Sequence, residues 1–153
     1  MITQDDINVK FTEEKPKADS LVPVAIPLLT EAIKRLAPND QLHKIRFDCS
    51  DEGAVYTPIV ALAQFLNFFL ENTQLSSYES IILGSSSELF NISIIGNDLD
   101  YEKTVKIAHR AGFSIKKTTS GIYLEIPKVL SDWSNLYAET RNILLTLLGL
   151  ADI

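Results

Sequence analysis

The segment from Thr57 to Asn72 reads as a helix that is apolar around most of its circumference. Thr57 and Pro58 supply the capping side chain and the first-turn proline with which helices often begin. A helix with apolar residues on nearly every side needs a covering layer, and a packed sheet provides one. We therefore predict that this helix lies under a sheet, with Phe69 and Leu70 in the core.

Other segments of the chain have the periodicities of further helices and strands. We predict, in order, helix 23–36, strand 42–49, helix 57–72, strands 80–83 and 89–95, helix 101–111, strands 113–117 and 122–126, and a last helix ending at Leu148. Asp98 or Asp100 is positioned to cap the third helix, and Ser131 with Asp132 the last one. Gly112 and Gly149 follow the ends of these two helices, where glycine is favoured.

This order predicts a two-layer α+β sandwich, in which a mostly antiparallel sheet carries helices on one face, with extra N- and C-terminal helices. The 153 residues, 46% of them hydrophobic, are enough for one domain with an ordinary core. We place that single domain at residues 21–153. Residues 1–20 mix charges with Pro16 and lack periodicity, so we expect a mobile N-terminal arm.

Charge and cysteine content limit the classes of partner and the compartment. A net charge of −6 argues against nucleic acid or an anionic membrane as the main partner, because the fourteen basic residues are spread along the chain. No stretch approaches the roughly 18 apolar residues that span a bilayer. The single cysteine, Cys49, excludes an internal disulfide and fits a reducing compartment. We expect a cytoplasmic protein.

Candidate catalytic side chains have unsuitable neighbours. His109 has no carboxylate one helical turn away to orient its imidazole, and His43 begins a strand with alternating charge. Asp48, Asp51 and Glu52 surround Cys49 in sequence and should raise its pKa, and they lack the spacing of a calcium loop. We predict no catalytic residue and no metal site among these groups.

The predicted helix 57–72 carries a pattern of residues with a known counterpart. Gln64, Leu66, Phe69, Leu70 and Asn72 are spaced so that the helix resembles the nucleotide-box helix of the histidine-kinase-like (GHKL) ATPases. The resemblance implies that Asn72 stands at the magnesium-binding asparagine. It also implies that the polar stripe of Gln64, Asn67 and Glu71 faces a nucleotide pocket; the alternative is an ordinary solvent-facing edge.

Two further stretches extend this resemblance across residues 42–127. Residues 92–98 are similar to the strand that ends in the family's first glycine box, and residues 108–127 to its closing helix and strand pair. Within the family, the resemblance is nearest to histidine phosphotransferases whose ATPase-like half does not bind nucleotide. The segment before residue 42, however, contains no histidine that could carry a phosphoryl group.

The chain departs from the family pattern where phosphate chemistry is required. Gly96 replaces the aspartate that reads adenine, and Asp98 replaces a glycine, so a carboxylate would face the phosphates. Residues 97–101 are too few for an ATP lid, and no second glycine box precedes helix 101–111. We therefore expect a protein that is not an enzyme and has no cofactor, unless a vestigial magnesium site persists at Asn72.

The last helix is the candidate interaction surface. Apolar residues recur along it at helical spacing, and the predicted contact residues are Trp133, Leu136, Tyr137, Leu144 and Leu148. We expect this stripe to form a homodimer or to bind another protein, whereas packing on the first helix would leave a monomer. The predicted function is a non-catalytic adaptor or regulator. The alternatives are a small acidic secretion or effector chaperone and, least favoured, an active GHKL kinase or ATPase.

Overall fold

The structure, a computed structural model, describes residues 21–71, 77–96, 100–130 and 134–150. Its strands are β1 (Leu21–Ala25), β2 (Ile45–Phe47), β3 (Ala54–Pro58), β4 (Tyr78–Ser85), β5 (Leu89–Gly96), β6 (Ser114–Lys117) and β7 (Gly121–Val129). Its helices are α1 (Ile26–Leu36), α2 (Ile59–Phe69), α3 (Tyr101–Arg110) and α4 (Tyr137–Leu147). The predicted arm at residues 1–20 lies outside the described residues.

The seven strands form one sheet in the order β1-β3-β7-β5-β4-β2, with β6 also paired to β7. All pairings are antiparallel except that of β2 with β4. The mostly antiparallel sheet and its helical layer confirm the predicted α+β class. The two predicted hairpins, β4 with β5 and β6 with β7, are also confirmed.

The core lies between α2 and one face of the sheet. Burial alternates along strands β5 and β7: Ile92, Ile94 and Leu124 are buried, and the residues between them are more exposed. From α2, the rings of Phe65 and Phe69 stack with their centroids 5.3 Å apart. Both rings are buried, as the helical pattern predicts.

The prediction for the first helix is wrong at its start. Residues 21–25 form β1, and α1 begins only at Ile26, with Pro27 in its first turn. Among the described strands, β1 pairs with β3 alone and so lies at the edge of the described sheet, where Pro23 can be accommodated although it has no N–H to donate. The helical spacing of the later residues concealed this strand.

Thr57 and Pro58 are also assigned wrongly from sequence, because they end strand β3 rather than cap and begin a helix. The Thr57 hydroxyl is buried and donates a hydrogen bond to the carbonyl of Ala111 at 2.6 Å. Helix α2 therefore starts after Pro58 with no side-chain cap. Pairing with β1 and β7 determines this conformation, and such long-range pairing leaves little local signal.

The predicted strand 42–49 is reduced to three residues. Residues Asn39–Lys44 form a 3-10 turn instead, and only Ile45–Phe47 pair with β4.

Asp100 is confirmed as a helix cap, since its carboxylate accepts from the backbone N–H of Lys103 at 3.1 Å. The alternative cap, Asp98, and the caps Ser131 and Asp132 lie outside the described residues.

Candidate functional site

The outward side of α2 carries the polar stripe singled out from sequence. Gln64 and Asn67 are exposed on the helix, and Glu71 is exposed just beyond its end. Leu66 and Phe69 point the other way and are buried. Asn72, the candidate magnesium ligand, lies outside the described residues.

Helix α3 packs beside this stripe. Its Lys103 ammonium nitrogen lies 5.2 Å from the centroid of the Phe68 ring, which is half-buried on α2. An ammonium over a ring is attracted by the ring's negative face and contributes about 0.5–1 kcal/mol at an exposed site. The structure thus places α3 next to the helix that carries the polar stripe.

The start of α3 is filled by a carboxylate of the chain itself. The backbone N–H of Lys103 is satisfied by Asp100, and the Thr104 hydroxyl donates to the Asp100 carbonyl at 2.7 Å. The N-terminus of a helix attracts anions because its first N–H groups are unpaired and its dipole is positive there. Asp100 already supplies that negative charge, so a phosphate at the same position would be repelled by it.

A side chain at Gly96, the position that the resemblance assigns to the adenine-reading aspartate, would be tightly packed. Its N–H donates to the carbonyl of Ser120 at 2.9 Å, and it pairs with Tyr78 across β4 and β5. A Cβ atom at this position would lie 3.0 Å from the carbonyl oxygen of Ser77. An aspartate here would therefore require the two strands to separate locally.

The two histidines are not part of any assembled site in the described residues. His43 is exposed in the 3-10 turn, and His109 is exposed in the last turn of α3. Neither imidazole forms a hydrogen bond or an ion pair with a described residue. The geometry supplies neither ring with the orienting partner that a general base or phosphoacceptor uses.

Cys49 is half-buried at the end of β2. Burial raises the pKa of its thiol, and the carboxylates of Asp51 and Asp48 act in the same direction. A thiol with a raised pKa is a weak nucleophile at neutral pH, because little of it is thiolate. Across the described ranges, no three His, Cys, Asp or Glu side chains are grouped so that they could hold a metal ion.

The predicted interaction residues of the last helix separate into two groups. Leu136 is 41% exposed and Tyr137 is half-buried, whereas Leu144 is fully buried and Leu148 is 7% exposed. Trp133 lies outside the described residues. Leu144 and Leu148 belong to the chain's own core because α4 packs on α2 and β1, so in this fold they are not available to a partner.

An ion pair also joins α4 to α1. The guanidinium of Arg141 donates to both carboxylate oxygens of Glu31, at 3.0 Å and 2.6 Å. The competing arrangement predicted from sequence was apolar packing of the last helix on the first, but the main packing partners of α4 are α2 and β1.

The outward side of α4 carries two residues that were not among the predicted contacts. Ile143 and Leu147 are 44% and 40% exposed, and they follow Leu136 on the same side of the helix. Both belong to the apolar pattern of the last helix in the sequence, seven and eleven residues after Leu136. The sequence did not show which of two apolar stripes faces inward.

Comparisons with known proteins relate this architecture to one solved structure. No protein-family model matches the chain, and no curated protein matches it either. The solved structure of the cytoplasmic segment of histidine kinase QseC is similar, with a TM-score of 0.54 at 11% sequence identity. The match covers 84% of this chain and 90% of the other, which is more than the residues 42–127 that suggested the resemblance.

The described helices include none with the length and apolar character needed to cross a membrane. At 11% identity, the structural similarity shows the fold alone. The chain has a distant histidine-kinase-like fold.

Proposed function

We propose that the protein is a non-catalytic adaptor or regulator that works through protein–protein contacts on a histidine-kinase-like scaffold. The observation that carries this proposal is that α4 is apolar on two sides. One side is buried through Leu144 and Leu145, and the other exposes Ile143 and Leu147. A helix with two apolar sides needs a second surface to cover the one that its own fold leaves open.

A second copy of the chain is the partner that suits this outward surface. Within α4 the charged residues are Glu139 and Arg141, and Arg141 is already engaged by Glu31. Glu139 is thus the one charge that α4 adds beside the exposed Ile143 and Leu147, so the surface itself contributes little of the net charge of −6 on each chain. Closed two-fold pairing of like surfaces is the commonest arrangement of soluble oligomers.

The surroundings of α3 support a function without nucleotide chemistry. The Asp100 carboxylate caps the helix where phosphates would be held, and Gly96 carries no side chain that could read adenine and has close backbone neighbours. The kinase-like fold also supports an adaptor or regulator over the alternative of a secretion or effector chaperone. Both functions need a protein partner, and they differ in whether that partner is a signalling protein or a secreted one.

Light scattering at micromolar concentration tests the predicted dimer. We expect the wild-type chain to have twice the 17.1 kDa mass of one copy. The double variant Ile143→Glu/Leu147→Glu should be monomeric, because two carboxylates would be buried without partners in the interface. Leu130→Glu is the control, since Leu130 is 64% exposed just after β7 and is not part of α4, so this added carboxylate should leave the dimer intact. A wild-type mass of one chain would contradict the proposal.

A further inference from the structure

The exposed side of α3 gathers positive charge on an otherwise acidic chain. Five of the fourteen basic residues but one of the twenty acidic residues lie between Tyr101 and Lys117, so this stretch has a charge of +4. The remainder of the chain carries nineteen acidic and nine basic residues. Such a separation of charge directs how an approaching partner is oriented.

Four of these cations lie on α3 and on the strand β6 that packs beside it, and we call them the basic face: Lys103, Lys106, Arg110 and Lys117. The first three are exposed and follow the spacing i, i+3, i+7, which places them on one side of α3 opposite the buried Thr104. Lys117 lies on the edge strand β6, with its ammonium nitrogen 5.8 Å from the centroid of the Tyr101 ring in the first turn of α3.

The charges of the basic face are held in place without being neutralised. Elsewhere Arg46 and Arg141 are paired with the carboxylates of Asp48 and Glu31. The four cations of the basic face form no ion pair within residues 21–71, 77–96, 100–130 and 134–150. Lys103 and Lys117 stack on rings instead, which orients each ammonium but leaves its charge for another ligand.

We propose that the basic face is a docking surface for an acidic segment of a partner protein, a run of aspartate and glutamate side chains. This inference rests on the proposed adaptor function and adds to it the kind of partner. The rings of Phe68 and Tyr101 beside the lysines supply apolar contact area of the type that protein interfaces use.

A short acidic segment fits this surface better than an extended polyanion. The charges of a nucleic acid or an anionic bilayer continue past the basic face, toward the remainder of the chain with its nineteen acidic and nine basic residues. Charges within a Debye length of about 8–10 Å act on one another at physiological salt, so those contacts would be repulsive. A peptide that ends within the basic face avoids this repulsion.

Fluorescence anisotropy with a fluorescein-labelled deca-glutamate peptide tests the proposal. We expect the wild-type chain to bind the peptide more tightly at low than at physiological ionic strength, because the contacts are between charges. Lys103→Gln/Lys106→Gln should weaken binding roughly fivefold, on the scale of two exposed charge pairs. Lys34→Gln/Lys44→Gln is the matched control, because it changes the net charge equally and also removes a lysine stacked on a ring, Lys34 on Phe47.

Three results would overturn the docking surface. The first is that the wild type does not bind deca-glutamate, and the second is that both double variants lose the same amount of affinity for the peptide. The third is that an oligothymidine or phosphatidylserine vesicles bind more tightly than the peptide. Thermal unfolding of each variant checks that its fold is retained. The same titration on the Ile143→Glu/Leu147→Glu variant tests the docking surface separately from the dimer. A monomeric variant that still binds the peptide supports the basic face.

Discussion

At the scale of single residues, Gly121 sets how closely β5 and β7 approach. It begins β7 opposite Ile95, and a Cβ atom built on it would overlap the backbone carbonyl of Ile94. The contact is with backbone rather than with the end of a flexible side chain, so neither partner can move aside without disturbing the ladder between two central strands. Gly121 is therefore required by packing at this position.

Replacing Gly121 with alanine should lower the free energy of unfolding by about 2–4 kcal/mol, as expected for a steric overlap in a packed region. Gly149→Ala is the comparison, because Gly149 has a positive φ of 73° but no atom within 4 Å of an added Cβ. Its cost should be about 1 kcal/mol, from backbone conformation alone. Urea denaturation measures the free energy of unfolding of both variants. Equal losses would show that the structure shifts so that the added Cβ at position 121 no longer overlaps its neighbours.

At the scale of elements, the pairing of α4 with α1 depends on one carboxylate. Glu31 accepts two hydrogen bonds from Arg141 and also lies 3.6 Å from Arg35. The hydrogen bonds from Arg141 hold the pKa of Glu31 below its usual value of 4.5, and the charges of both arginines act in the same direction. A carboxyl group with a lowered native pKa stabilises the fold above its unfolded pKa and loses that contribution as the pH falls.

The variant Glu31→Gln should therefore lose about 1 kcal/mol of stability at pH 7, since the ion pair is partly exposed. The difference between wild type and variant should shrink as the pH falls below 4.5 and the native Glu31 is protonated. Asp48→Asn is the control, because its pair with Arg46 is 46% and 69% exposed and should contribute less. A difference that persists at low pH would show that the effect of Glu31 is not electrostatic.

At the scale of the whole molecule, the chain has a distant histidine-kinase-like fold. The helices α2 and α3 lie side by side, but the start of α3 is capped by Asp100. The cations of the basic face lie along the outward side of α3. A cation on the outside of a helix cannot replace the N–H groups that glycine-rich turns direct at phosphates.

We predict that the protein does not bind ATP with useful affinity. Isothermal titration with ATP and magnesium should give no binding heat, and an active histidine kinase catalytic domain titrated alongside provides the positive control. A dissociation constant at or below ~10 µM, worth roughly 7 kcal/mol, would contradict this prediction and favour the active-ATPase alternative.

The sequence determined the elements whose signals are local. Alternation gave the two hairpins, helical spacing gave α2, α3 and α4, and Asp100 with Gly112 marked the ends of α3. Each of these signals depends on residues a few positions apart, so it can be recognised before the chain is folded. The buried positions of Phe69 and Leu70 were predictable for the same reason.

The tertiary structure decided what depends on residues far apart in the chain. Strands β1 and β3 exist because they pair with each other, although Pro23 and Thr57 locally favour a helix start. Packing on α2 and β1 selected Leu144 and Leu148 for the core and left Ile143 and Leu147 outside, which periodicity alone could not choose between. The fold also brought Lys117 beside α3, where basic residues that look scattered in sequence form one surface. Pairing, burial and charge clustering are properties of distances in space, and a single sequence does not contain those distances.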